Sequence, residues 1–233
     1  LVEQPLAADL LTPALAERVD ACVFYDMPGI DFTAGAAPVA PEPEFQAAFL
    51  SLLETGMGCV FMHHSIAAWP AWPEFAEIVG GRFHYRPARL RGRDWPDSGY
   101  RHKVDHTISV QCEHPVTEGL PDSFAMTDEL YLCPVFEDDV IPLLRSNYEF
   151  SDEHFYSASQ AVAGEMYSRE GWQHPSGSSL VGWVKRYGAS PIVYIQGGDD
   201  PEAYANPQYQ RLVHNAVRWV AGPEARAWAR QQQ

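Results

Sequence analysis

A short apolar run, Gly58-Cys59-Val60-Phe61-Met62, breaks off at His63-His64-Ser65, and Pro73-Glu74-Phe75-Ala76-Glu77-Ile78-Val79 then opens a helical pattern. The run carries no polar residue and turn residues precede it, which reads as a buried strand. Proline in the first turn suits a helix start, where its missing N–H has no partner to lose. Strand, sharp turn and helix in this order belong to an open α/β sheet, which presents reactive side chains at the carboxyl edge of its strands. Adjacent residues at the end of a strand point to opposite sides, so one of His63 and His64 is expected to face a crevice there. The competing reading makes both histidines hydrogen-bonded spacers that cap the strand.

The rest of the chain supports such a sheet. Leu10, Leu11, Leu15 and Val19 have helical spacing over 8–19, and Ala21 to Asp26 reads as a buried strand that ends on a polar residue. Residues 32–43, rich in Ala, Pro and Gly, read as a surface loop. Glu44 to Glu54 is an amphipathic helix closed by Gly56. This alternation predicts parallel strands joined by right-handed crossovers. After the helix at 73–79, Arg82 to Tyr85 reads as extended, 86–101 as loop, and Lys103 to Gln111 and Phe124 to Leu132 as strands. Leu180 to Tyr187 and Ser190 to Gln196 follow as strands, then a long helix from Asn206-Pro207 to Gly222 and a short helix or frayed tail over 223–233. Residues 147–178, where Ser151-Asp152-Glu153 can cap a helix to about Ala163, interrupt this rhythm and read as an insertion, a lid or a dimer contact.

With 233 residues, 46% of them hydrophobic, the chain is expected to be a single globular domain over 1–233. Sixteen basic against 31 acidic residues leave a net charge of −15, which disfavours a phosphate backbone as partner and suits a neutral or cationic small molecule. Cys22, Cys59, Cys112 and Cys133 form no C-x-x-C pair and read as small buried hydrophobes of a reducing compartment. No apolar run reaches the ~20 residues of a membrane span. A cytoplasmic protein that touches neither nucleic acid nor membrane is expected, as a homodimer or higher homo-oligomer.

Several pieces, taken in order, resemble the ThuA-like (trehalose-utilisation) family, whose fold is similar to that of class I glutamine amidotransferases. They are Gly58 to His64, Trp72-Pro73-Glu74-Phe75 with Ile78-Val79-Gly80-Gly81-Arg82-Phe83, His114-Pro115-Val116-Thr117-Glu118-Gly119-Leu120, Asp128-Glu129-Leu130-Tyr131, Trp183, and Asn206-Pro207 through Val217-Arg218-Trp219-Val220. The resemblance implies a mostly parallel, doubly wound, flavodoxin-like α/β sheet, with a first strand and helix ahead of what this chain shows. It implies a role in sugar or keto-sugar catabolism and, for some members, a divalent metal such as Zn or Mn; no nucleotide cofactor is expected. The elbow that holds the amidotransferases' cysteine is His63-His64-Ser65 here, so amidotransferase chemistry is not expected. Where the family usually carries Gly-His after the last core strand, this chain has Gly197-Gly198-Asp199-Asp200, and Asp199 is the candidate to substitute in part.

The candidate chemistry rests on His64 and Glu129, both at expected strand ends, with His63 beside them. A carboxylate beside an imidazole orients it and raises its basicity, which suits acid/base work near neutral pH in hydrolysis, elimination or isomerisation. Glu129 as a structural acceptor at a helix start is the alternative. Tyr131 shares Glu129's face, two residues on, and can donate to a substrate oxygen. Trp69 is the expected stacking surface for a sugar ring, with Asp26, Ser65 and Asp199 as further substrate contacts. No G-x-S-x-G elbow surrounds Ser65, so it is not read as a nucleophile. His102 and His106, four apart, would lie on one face of a regular strand and could form a metal pair with Glu129 or Asp199; two histidines in a solvated hairpin are the alternative. The rival to an enzyme is a small-molecule-binding or assembly protein on the same fold.

Overall fold

The structure is a computed structural model that describes residues 1–3, 6–33 and 37–231. Parts of the opening segment, of the loop expected at 32–43 and of the terminal tail lie outside the described residues. In chain order the elements are α1 (Leu6–Leu10), β1 (Ala21–Phe24), α2 (Pro43–Glu54), β2 (Gly58–Met62), α3 (Pro73–Val79), β3 (Ala88–Leu90), β4 (Arg93–Trp95), β5 (Gly99–Val110), β6 (Ser123–Leu132), β7 (Ile141–Ser146), β8 (Tyr156–Ser157), α4 (Ala158–Val162), β9 (Leu180–Tyr187), β10 (Ser190–Ile195), α5 (Pro201–Ala205), α6 (Pro207–Ala221) and α7 (Pro223–Arg230).

The main sheet runs β1-β2-β10-β9-β7-β5-β6, with β8 added to β5, and β3 and β4 form a separate hairpin. Parallel pairing joins β1 to β2 and β2 to β10. From β10 onward every pairing is antiparallel. For β9 and β10 the reason is local: they are joined only by Gly188-Ala189, too short for a crossover, and Gly188 takes φ 53 to make the turn. The fold is α/β and of the glutamine amidotransferase-like kind, with helices on both faces of the sheet. Phe49, Leu52 and Leu53 of α2 and Phe75, Ile78 and Val79 of α3 pack with Cys59, Phe61, Ile192 and Tyr194 on one face. Tyr209, Leu212, Ala216 and Val220 of α6 pack with Val60, Met62, Val193 and Ile195 on the other. Strand alternation divides the two sets, and each large buried side chain contributes about 1.5–3 kcal/mol. Helix α6 runs so close that a Cβ on Gly58 would lie 2.2 Å from the Val220 carbonyl oxygen.

Some elements differ from the sequence reading. Where a helix or helical turn is expected over 8–19, α1 stops at Leu10, short of Pro13, and a 3-10 turn follows over Pro13–Glu17. Residues 82–85 form no strand; the only ladder contact there is Gly81 with Val135. Strand β7, where Pro142 interrupts the pattern, pairs with β9 through register shifts around that residue. Within 147–178 the helix is only α4, capped by Ser157, whose hydroxyl accepts from the Gln160 N–H at 3.1 Å. No helix among the described residues is long and apolar enough to cross a membrane.

Candidate functional site

At one end of the sheet, the carboxyl ends of β2, β6 and β10 meet the start of β5. There β2 stops at Met62 and the chain turns into a 3-10 helix over His63–Ala67. His63, at the turn, takes φ 49, a left-handed conformation that costs a non-glycine residue about 1–2 kcal/mol. Two hydrogen bonds and full burial hold it there. Its carbonyl accepts from the Tyr194 hydroxyl at 2.9 Å, its Nδ1 donates to the Gln196 carbonyl at 2.8 Å, and its side chain is fully buried. Because Nδ1 carries the proton given to Gln196, the other ring nitrogen decides the chemistry. Nε2 lies 2.8 Å from the Tyr131 hydroxyl, 3.2 Å from Glu129 Oε2 and 3.4 Å from Asp199 Oδ1. A bare lone pair between two carboxylates would be repelled, so Nε2 faces a positive centre: its own proton or a cation. Burial opposes a charge on His63, but its hydrogen bonds to Asp199 and Glu129 outweigh it and raise its pKa to about 9.

Glu129 is clamped from both sides. Its Oε1 lies 2.9 Å from His102 Nε2, while Oε2 faces His63. Burial works against its ionisation, yet the two imidazoles hold its pKa below the usual carboxylate value. His102 reaches it through a bulge in β5: Arg101 pairs with Leu130 but Val104 with Asp128, so one extra residue sits on β5, and Lys103 there takes φ 51. The extra residue reverses the facing of everything beyond it. Tyr100 therefore belongs to the core on the site's face, and Val104 and Ile108 to the core on the opposite face. His106 goes with them, its Nδ1 2.8 Å from the Ser146 hydroxyl. The expected metal pair of His102 and His106 is thus corrected: the bulge puts the two on opposite faces, and only His102 meets Glu129.

Asp199 is placed by its loop. The buried Asp128 carboxylate accepts the N–H groups of Gly198, Asp199 and Asp200 at 2.6, 3.1 and 3.3 Å. Gly198 has φ 126, and a Cβ there would lie 2.5 Å from the Tyr209 hydroxyl. No histidine fits at that position; its carbonyl instead accepts from the Tyr25 hydroxyl at 2.7 Å.

These groups open into a crevice of ≈ 240 Å³, lined on its polar side by His64, His102, Glu129, Tyr131 and Asp199 and on its apolar side by Met27, Phe83, Tyr85, Tyr100, Ala158, Ala161 and Met166. Among the described residues no Lys or Arg lines it. His63 lies beneath this surface and His64 at it, 4.9 Å between ring centroids and with Tyr25 4.4 Å from His64. Both rings turn inward because residues 63–67 form a helical turn and not a continued strand. The His64–Glu129 pair becomes His63–Glu129 and His102–Glu129, with His64 opposite. Burial and the neighbouring His63 push the His64 pKa down to about 4, leaving a neutral imidazole.

The other expected contacts divide. Asp26 is exposed at the rim, and its charge acts on His64. Trp69 is not a crevice residue: its ring packs on Phe45 at 5.5 Å and its carbonyl is bound by Arg82, because the chain at φ 48 turns it into the α2 side. Ser65 is fully buried within the 3-10 turn and cannot reach a substrate. Sequence reasoning missed Asp128 and Gln196. Asp128 adjoins Glu129 in the Asp-Glu-Leu-Tyr motif and Gln196 ends β10, so both were marked by their place at the sheet's edge.

The donor set also suits a divalent cation. His63 Nε2, Glu129 and Asp199 offer one ligand atom each, all within 4.8 Å of one another. Metal–ligand bonds of about 2.1 Å in a tetrahedron put donors about 3.4 Å apart, close to the separations here. The Gln196 carbonyl on Nδ1 and His102 on Glu129 are the outer partners that orient metal ligands.

The family model of ThuA, trehalose utilisation, matches residues 3–220. Among solved structures, a ThuA-like protein from Bacteroides uniformis superposes with a TM-score of 0.60 at 19% identity, covering 91% of this chain and 74% of that one. A ThuA-like protein from Parabacteroides merdae gives 0.54 at 18% identity, over 84% of this chain and 74% of that one. A protein described as cytoplasmic, from Salmonella typhimurium, gives 0.54 at 14% identity, over 90% and 74%. No curated protein sequence matches.

Proposed function

The chain belongs to the ThuA (trehalose utilisation) family, and on that premise we propose that it is an enzyme moving a proton at the carbon beside a carbonyl of a sugar-like substrate, in isomerisation or elimination. The observation that carries this reading is the Glu129 carboxylate held between His63 and His102 at 3.2 and 2.9 Å, opening into a crevice that Tyr131, Asp199 and His64 share. In this reading neutral His64 accepts the proton from carbon, and His102, whose hydrogen bond to Glu129 favours its charged form, returns one on the other side. His63 donates from Nε2 toward the Tyr131 oxygen, which frees the phenol hydrogen to bond the substrate carbonyl oxygen as negative charge builds there. Glu129 and Asp199 hold His63 in its charged form and so keep that donor in place. A divalent cation at His63, Glu129 and Asp199 would take the place of the Nε2 proton and would supply Lewis-acid polarisation of the same oxygen in its stead. Two carboxylates and no Lys or Arg among the described residues lining the crevice favour an uncharged substrate over a sugar phosphate.

The test is solvent-deuterium uptake into a keto-sugar, followed by NMR, with protein isolated with and without added Mn²⁺ or Zn²⁺. His64→Ala is expected to slow uptake by about 10²–10⁴, the contribution of a positioned acid or base. Uptake at the wild-type rate in His64→Ala would refute the assignment.

A further inference from the structure

The crevice is smaller than the roughly 300–1,000 Å³ of pockets that enclose drug-sized ligands. It holds one ring and leaves the rest of a longer substrate at the mouth. What stands at the mouth is unusual for this protein's surface. Most of its exposed large hydrophobic residues fall in the first 39 positions, but Met166 and Tyr167 form an adjacent pair far along the chain, 49% and 55% exposed. Met166 lines the crevice, and the Tyr167 hydroxyl lies 3.3 Å from His102 Nδ1, on the solvent side of the ring whose other nitrogen meets Glu129.

The pair is held there against its own preference. Tyr167 has φ 62, a left-handed conformation that a side chain of this bulk avoids, and such strain persists where surrounding contacts impose it. The contact is Tyr100, itself a crevice residue. Its hydroxyl accepts the Tyr167 N–H at 2.9 Å and points at the Met166 sulfur at 3.7 Å. Rings of Tyr100 and Tyr156 stand 6.2 and 5.5 Å from the Tyr167 ring, so a rigid aromatic cluster backs the exposed face.

Resting on the reading of the crevice as a sugar site, we infer that Tyr167, with Met166, forms a second subsite that stacks on an apolar or ring-shaped group joined to the sugar, and so selects glycosides that carry such a group over those with a small one. The experiment is calorimetric titration of the full chain with methyl glucoside and with phenyl glucoside. Wild type is expected to bind the phenyl glucoside about tenfold more tightly, the scale of one good ring contact. Tyr167→Gly relaxes at φ 62 and removes the ring, and its preference is expected to fall to about twofold or less. Tyr167→Phe keeps the ring and is expected to keep the preference. Equal binding of both probes by wild type, or a preference that survives in Tyr167→Gly, would overturn the inference and leave the sugar site standing. Binding of neither probe would overturn the sugar reading and this subsite with it.

Discussion

Arg82 is the best place to test whether the elbow that carries His63 and His64 is held as described. It is 1% exposed and meets no carboxylate among the described residues. The guanidinium donates instead to the carbonyls of Ala68 at 3.0 Å, Trp69 at 2.8 Å and Trp72 at 2.8 Å, tying the turn after the elbow to the start of α3. Hydrogen bonds from a charged donor are worth about 1.5–3 kcal/mol each, so the three together contribute about 6 kcal/mol. Against this stands the cost of the buried charge: desolvation lowers the pKa from 12.5 to about 10, about 3 kcal/mol against the charged form. Arg82→Met removes both, so its net cost is about 3 kcal/mol. Not all three carbonyls are orphaned, since Trp69 O still accepts from Trp72 N and Trp72 O from Phe75 N. The Ala68 carbonyl is the one left bare.

Urea unfolding of Arg82→Met is expected to show that loss, equivalent to a fall in Tm of about 6–12 °C for a chain of this size. Amide exchange over 63–72 should speed up more than over β9 and β10. Arg91→Met is the comparison: Arg91 bridges Glu77 and Asp139 at the surface and should cost under about 1 kcal/mol. A change below about 1 kcal/mol in Arg82→Met would mean that the three bonds and the buried charge cancel, and the clamp would have to be given up.

Acid should weaken the fold through His84 and His106. Burial holds His84 at about 3, with Arg82 and His174 adding to the effect, and His106 at about 4. Both lie below the ~6.5 of an unfolded histidine, so below that pH the unfolded chain binds more protons, and stability drains away as pH falls from about 6.5 toward 4. Between pH 7 and 5 the two together account for about 4 kcal/mol; His106→Gln should remove about 2 kcal/mol of the dependence seen by urea unfolding, and an unchanged profile would refute the assignment. For the donor set, Mn²⁺ or Zn²⁺ titrations should show affinity more than about tenfold weaker in Glu129→Gln and in Asp199→Asn, with His106→Ala like wild type. Equal affinity in all four proteins would place the ion elsewhere.

Sequence alone went far with elements whose patterns are local. The run at 58–62, the α6 stripe and its Asn206 cap each announce themselves within a few residues, and the ThuA pieces fix their order. What it could not supply was the pairing of β7 with β9 and β5, where Pro142 breaks the pattern, and with it the antiparallel half of the sheet beyond β9. Those depend on partners distant in the chain. The Asp-Glu-Leu-Tyr motif was legible as two faces, yet which face carried the chemistry turned on contacts to Gln196 and Gly198, some seventy residues away.

The two histidine errors share a cause. Alternation assigns a side chain to a face by counting, and the count is only as good as the regularity of the backbone. At 101–104 one inserted residue reverses the parity, so His102 and His106, which the count puts together, part company. At 63–67 the strand has already become a 3-10 turn, so His63 and His64, which the count would separate, both turn inward. Both irregularities carry a non-glycine residue at positive φ, Lys103 at 51 and His63 at 49. Strain of this kind is retained where something gains by it. Here it aims His63 and His102 at the two oxygens of one carboxylate, an arrangement that a regular strand and a regular turn would not produce.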